Sequence, residues 1–288
     1  MRPIPTLLFT LLLGGTLVGQ VTVEPSSYGY SNGVHPSFSF VYEGTDAKYV
    51  ESYWRDELKK ISASVSNKKE VIGIAALVPQ VSPDTVRIYV KAEQRKGQPS
   101  VVAHVAILTT AGFVSPNSEA RAYDGALAFV QQRSTQLRRQ LAEQELGLAE
   151  RGLTKLRNEL NDLKREKERA EANIEKSKQR AAEALNEQDR SRKAADELEP
   201  RITALKAELG PTPAKEGEKE LSGLIRDRDR ALSDNRKAQD DERNMTKKAD
   251  DLAWAIKKNV EDQARKSEEI ARQETLVATL KEKLSTIR

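Results

Sequence analysis

Two heptad repeats of near-equal length, separated by Gly210-Pro211-Thr212-Pro213, constrain this chain more than any other feature. From Leu146 to Leu209 the seam positions step by three and four residues without a slip, through Ala149, Leu153, Leu156, Leu160, Leu163, Ile174, Ala184, Ala195, Leu198 and Ile202. A 3.5-residue period draws one narrow apolar stripe along a helix and leaves the remaining surface to water. A second run starts at Leu221 and ends at Ile287, passing Leu224, Ala238, Met245, Leu252, Ile256, Ile270, Val277 and Leu284. Glycine favours a helix C-cap and proline removes a backbone donor, so the chain turns between the runs. Matched stripes joined by a short turn fold back on one another, which predicts an antiparallel coiled-coil hairpin over 137–288 with its turn at 210–216. At ~1.5 Å per residue, arms of about 70 residues reach roughly 105 Å.

The polar seam positions bear on register. Facing residues whose numbers add to about 426 put Ser191 opposite Asn235, Lys167 opposite Asn259 and Ile174 opposite Leu252, whereas a slip of one heptad brings Lys167 against Lys266, a repulsion within the seam. Pro200 lies inside the first arm while Leu198 and Ile202 keep the spacing, so a kink is expected near the tip. Trp254 falls on the face away from the seam, where coiled coils carry charge. It is a candidate partner contact, together with Pro211, Thr212 and Pro213 at the tip. Leu148, Leu185, Leu232, Val260 and Leu276 flank the seam and offer apolar surface to a second hairpin.

Composition agrees with a thin core. Aromatic residues make up 5 % of the 288, and Asp, Glu, Lys and Arg make up 32 %. Lys and Arg number 48 against 44 Asp and Glu, a net +4 with both signs closely interleaved. No basic block tracks phosphates, so nucleic acid is not an expected partner.

Residues 1–20 read as a secretory signal: Arg2, an apolar run from Ile4 to Leu13, then Gly14, Gly15 and Gly19, with cleavage after Gly19. The apolar stretch is shorter than the roughly 20 residues a spanning helix needs. The expectation is a periplasmic or secreted protein with no stable membrane span once cleaved. The chain has no cysteine, and so neither a disulfide nor a thiol-linked lipid.

Residues 21–136 read as a small α+β head ordered strand, helix, three strands, helix. Glu24 to Pro36, rich in Ser, Tyr and Gly and containing Asn32-Gly33, is expected to be poorly ordered. Phe38, Phe40 and Tyr42 alternate as a strand does, Asp46 caps a helix over 47–61, and Val50, Trp54, Leu58 and Ile61 share one face of it. Strands are expected over 70–78, 85–93 and 100–109. The middle one presents Val86, Ile88, Val90 and Ala92 to a dry face and Arg87, Tyr89, Lys91 and Glu93 to a wet one. A last helix begins near Asn117 and closes the core with Leu127, Phe129 and Val130.

The usual routes to catalysis lack their residues. Histidine occurs only as His35 and His104, in different elements and without cysteine; His104 reads as a partly buried strand residue. There is no glycine-rich phosphate loop and no nucleophile elbow, and the carboxylates sit mostly in the coil beside Lys and Arg. No catalytic residue, cofactor or metal is expected. The sequence therefore reads as an exported, non-enzymatic structural or interaction protein whose hairpin serves as spacer, clamp or oligomerisation arm, with a protein partner or self-association. A second reading is a periplasmic holdase, since a β-rich body bearing helical arms resembles the architecture of the Skp and prefoldin chaperones. A hydrolase or a regulator of enzymes at the cell wall ranks below both.

Overall fold

A computed structural model describes residues 22–95, 97–210 and 214–287. The chain forms two compact units, Met1–Arg151 with Glu274–Arg288, and Gly152–Gln273.

The first unit is built on a seven-stranded antiparallel sheet. Its strands are β1 (Glu24–Tyr30), β2 (Gly33–Glu43), β3 (Ser62–Asn67), β4 (Val71–Ala76), β5 (Val86–Gln94), β6 (Ser100–Thr109) and β7 (Gly112–Phe113), in the spatial order β1-β2-β6-β5-β4-β3 with β7 beside β6. Helix α1 (Ala47–Lys59) separates β2 from β3, and α2 (Ala120–Leu209) follows β7.

The fold class is the one expected, an α+β head followed by a long two-helix hairpin, but the head holds more strands than its composition suggested. Glu24–Pro36 is ordered: β1 pairs with β2 along its whole length, and Ser31-Asn32 forms the two-residue turn between Tyr30 and Gly33. Gly33 has φ of +129°, a conformation that disfavours side chains. Strand β3 is a short polar edge against β4. Strand β7 takes the place that β2 vacates: β2 pairs with β6 only as far as Phe38, just past Pro36, and Val114 N donates to the Ile107 carbonyl instead (2.8 Å).

One sheet face meets the helices. Phe38, Val105, Val90 and Val71 run in register across four strands, and Ile107 with Ile88 extends the layer. Val50, Trp54 and Leu58 of α1 cover it, joined by Ala126, Phe129, Val130 and Leu137 of α2. Asp46 starts α1 as expected, its Oδ1 accepting from Tyr49 N at 2.7 Å. Glu51 Oε1 accepts from Ala92 N (3.3 Å), at a point on β5 beyond the last residue paired with β4. Glu57, itself buried, accepts from both Lys60 and Arg133, and the Tyr53 hydroxyl donates to the Arg133 carbonyl at 3.0 Å, so α1 and α2 are clasped by polar as well as apolar contacts.

Helix α3 (Lys215–Thr286) returns its last turns to this unit. Val277, Leu280 and Ile287 are buried, as are Ala142 and Ala149 of α2. Arg139 donates to the Ile287 carbonyl at 3.2 Å, and Glu145–Lys283 and Glu150–Lys281 pair across the two helices at 3.0 Å each.

The second unit consists of the remaining coiled coil, residues 152–209 of α2 and 215–273 of α3. Throughout both arms, every residue assigned to the seam by the heptad spacing is buried or half-buried. Gln263 lies against the Leu163 carbonyl at 3.5 Å, Asn235 Nδ2 donates to the Gln188 carbonyl at 2.7 Å, and Lys266 pairs with Glu159 at 3.0 Å. These contacts belong to the register that faces Ser191 with Asn235. In it Lys266 is kept from Lys167, which pairs with Glu171 at 3.3 Å. A buried amide satisfied only in one alignment costs stability elsewhere, which is how polar seam residues specify register. Gly210, at φ of +58°, ends α2 in the left-handed conformation that glycine accepts most readily.

Candidate functional site

The residues singled out in the hairpin fall in three places. Trp254 stands on α3 with 69 % of its surface exposed, large for an aromatic side chain in a helix so rich in charge. Pro200 is exposed inside α2, which continues as helix through it; having no N–H, it deprives the Asp196 carbonyl of its usual helical donor. Pro211, Thr212 and Pro213 lie outside the described residues.

Two open grooves run along the coiled coil. One, of about 580 Å³, is lined by Glu159, Asp162, Leu163 and Glu166 from α2 and by Asp262, Arg265, Lys266 and Glu269 from α3. The other, of about 400 Å³, lies between Arg180, Glu183, Ala184 and Glu187 and the facing Asp241 and Met245. Carboxylates outnumber cations in both, five to two in the first and three to one in the second. Among the described residues no group of three or more His, Asp or Glu is arranged to hold a metal ion, and no helix is long and apolar enough to cross a membrane.

The outer face of the head sheet holds an aromatic cluster that the sequence reading missed. Tyr30, Tyr89 and Ala106 are buried there, with Tyr28, Ile72, Leu108 and Phe113 packed around them. Tyr89 was expected on a wet face; it is 4 % exposed, because the β1–β2 hairpin brings Tyr28 and Tyr30 over β5 and β6. Both histidines of the chain join this cluster. The His104 ring stacks on Tyr28 (centroids 4.3 Å apart) and His35 stacks on Phe113 (3.8 Å). Polar contacts tie the edges: the Tyr28 hydroxyl donates to Glu93, the Ser31 hydroxyl to Glu70, and His35 Nε2 lies 3.1 Å from Asn32 Oδ1. Burial, with the bond to Glu93 second, pushes the Tyr28 phenol far above its ordinary range, and burial does the same to Tyr30. The available signal was Tyr28 and Tyr30 alternating with small residues just before Asn32-Gly33, a hairpin pattern.

His104 makes this face sensitive to pH. Burial disfavours its cation and lowers its pKa, against a smaller opposing pull from Glu93. In the unfolded chain the ring titrates near about 6.5. Neutral His104 thus stabilises the fold fully above that pH, and the contribution is lost as pH falls from there through the lowered folded value. Urea unfolding between pH 7.5 and about 5.5 is expected to show falling head stability, with a flatter profile in His104→Gln. An unchanged slope in the variant would assign the effect elsewhere.

No protein-family model matches the chain, and no curated protein is significantly similar to it.

Proposed function

We propose that this is an exported, non-catalytic structural or interaction protein, in which the head is the compact body and the coiled-coil hairpin acts as spacer, clamp or association arm. The observation that carries this reading is the hairpin itself: a seam closed at every heptad position, with outer faces left to solvent and Trp254 standing on one of them. Its function is reach and binding rather than bond chemistry. Export to the periplasm or outside the cell is supported by Arg2, the apolar run from Ile4 to Leu13 and the absence of cysteine. The partner is a protein or a second copy, and the interleaved charges speak against nucleic acid.

The test is capture from envelope extract with the full chain, beside a chain whose tip residues Pro211–Pro213 are replaced by Gly-Ser-Gly and beside Trp254→Ala. A partner retained by the full chain and lost from either variant supports the reading. Equal capture by all three places binding away from the tip and from Trp254.

The exposed Leu148, Leu185, Leu232 and Leu276 along the arms favour a second reading, a holdase. That reading requires the chain to delay aggregation of an unfolded outer-membrane protein at stoichiometric concentration.

A further inference from the structure

We propose that hairpins of this chain associate side by side and in parallel, the basic edge of one copy lying along the acidic edge of the next. This rests on the reading of the hairpin as an association arm and names its partner, a second copy. With the seam lettered a and d, the e positions of both arms lie along one edge of the coiled coil and the g positions along the other. Two ion pairs fix this within residues 152–273: Arg228, at a, reaches Glu199, at e (3.1 Å), and Lys266, at d, reaches Glu159, at g (3.0 Å).

Carboxylates outnumber cations on the g edge of both arms, where Arg180, Arg201 and Lys248 are the basic residues between 152 and 273. Glu159 and Glu166 share one groove with Asp262 and Glu269, and Glu187 shares the other with Asp241. Flanking charges of opposite sign would stabilise such a pair of helices, yet here carboxylates converge on carboxylates. Lys266 relieves one such meeting by reaching Glu159 and also Glu269 (2.7 Å). A row of cations from outside would relieve the others.

The chain carries that row on its opposite edge. Arg157, Lys164, Lys178, Arg192 and Lys206 stand at e on the first arm and outnumber Glu171 and Glu199 there, and the second arm bears no charge at any e position from Ile225 to Ser267, so nothing on it repels an incoming carboxylate. Leu185, Leu232 and Val260 fall on this edge too, at 52 %, 42 % and 47 % exposure, and lose water when it is covered. Direction follows from sequence spacing. Residues two apart on one helix stand at nearly the same height, so parallel copies without stagger bring Lys164 to Glu166, Lys206 to Glu208 and Glu199 to Arg201. Lys178 against Arg180 is the one like-charge meeting along this row.

Sedimentation velocity of the full chain tests this. Association is expected at about 50 mM salt and at least about tenfold weaker at 500 mM, because the pairing charges are solvent-facing. Lys164→Glu with Lys206→Glu should weaken it by a similar factor. Adding Glu166→Lys and Glu208→Lys swaps both edges and should restore it, with circular dichroism confirming equal helicity in all variants. A spin label on Ser222→Cys, in a chain without native cysteine, should report neighbouring labels at about 10 Å, one helix width, in the associated state. A monomer at low salt, association indifferent to salt, or a fourfold variant that stays apart overturns the proposal. If the chain is monomeric but captures another protein through the arm, self-association falls and the arm reading stands; if it does neither, both fall.

Discussion

Gly125→Ala is expected to destabilise the head by about 3 kcal/mol, the upper part of the range for overpacking, even though the same change in an exposed helix would stabilise it by nearly 1. Gly125 lies in the second turn of α2, where a helical glycine ordinarily has no advantage. A Cβ built on it would stand 1.9 Å from the Gln80 carbonyl oxygen and 2.6 Å from its carbon. Those are backbone atoms, unable to rotate away as a side chain would. Their segment is pinned on both sides, Val78 and Val81 being buried in the core and Val81 N bonded to the Val78 carbonyl at 2.9 Å. Either the loop lifts, pulling two valines out of the core, or α2 moves off the sheet with Phe129 and Val130. Urea unfolding read through Trp54 fluorescence in a Trp254→Phe background measures the change. A neutral result would mean that the loop yields freely and that the close approach does not position α2.

This contact also marks where the sequence stopped being informative. The hairpin was legible throughout, because a heptad seam is written locally: each position is set by the residues three and four away, and the same register recurs along both arms. Helix α1 was legible for the same reason, Asp46 and the Val50, Trp54, Leu58 face being one local pattern. Strands β1, β3 and β7 were not. Nothing in Ser62–Asn67 or Gly112-Phe113 distinguishes strand from loop except the strand each pairs with across a tight turn, β4 for β3 and β6 for β7, and neither segment carries the apolar alternation that would mark it. The outer-face cluster is hidden in the same way. Tyr28 looks like loop composition until it is seen stacked on His104, 76 positions away. At the arm, the sequence placed Trp254 on the solvent side correctly, but what contacts it is not encoded in this chain, and exposure alone does not name a partner.

The two tryptophans separate the two roles argued for the units, and the same substitution should give opposite results. Trp54 is fully buried between α1, α2 and the sheet, with Phe40 and Phe129 rings 6.1 and 6.3 Å away. Trp54→Ala removes the largest side chain in the core, and at a site closed on all sides it should cost about 3–5 kcal/mol. Trp54→Phe should recover part of this, since it keeps the ring contacts and deletes an indole N–H that is buried without a hydrogen-bond partner. Trp254→Ala touches no core and should change unfolding by no more than about 0.5 kcal/mol, the range for surface positions. Its effect belongs in the binding readout, as lost capture of a partner. Substantial destabilisation by Trp254→Ala would show that the ring is a packing residue of the coiled coil, and would remove the most specific argument that this face of the arm is kept free for contact.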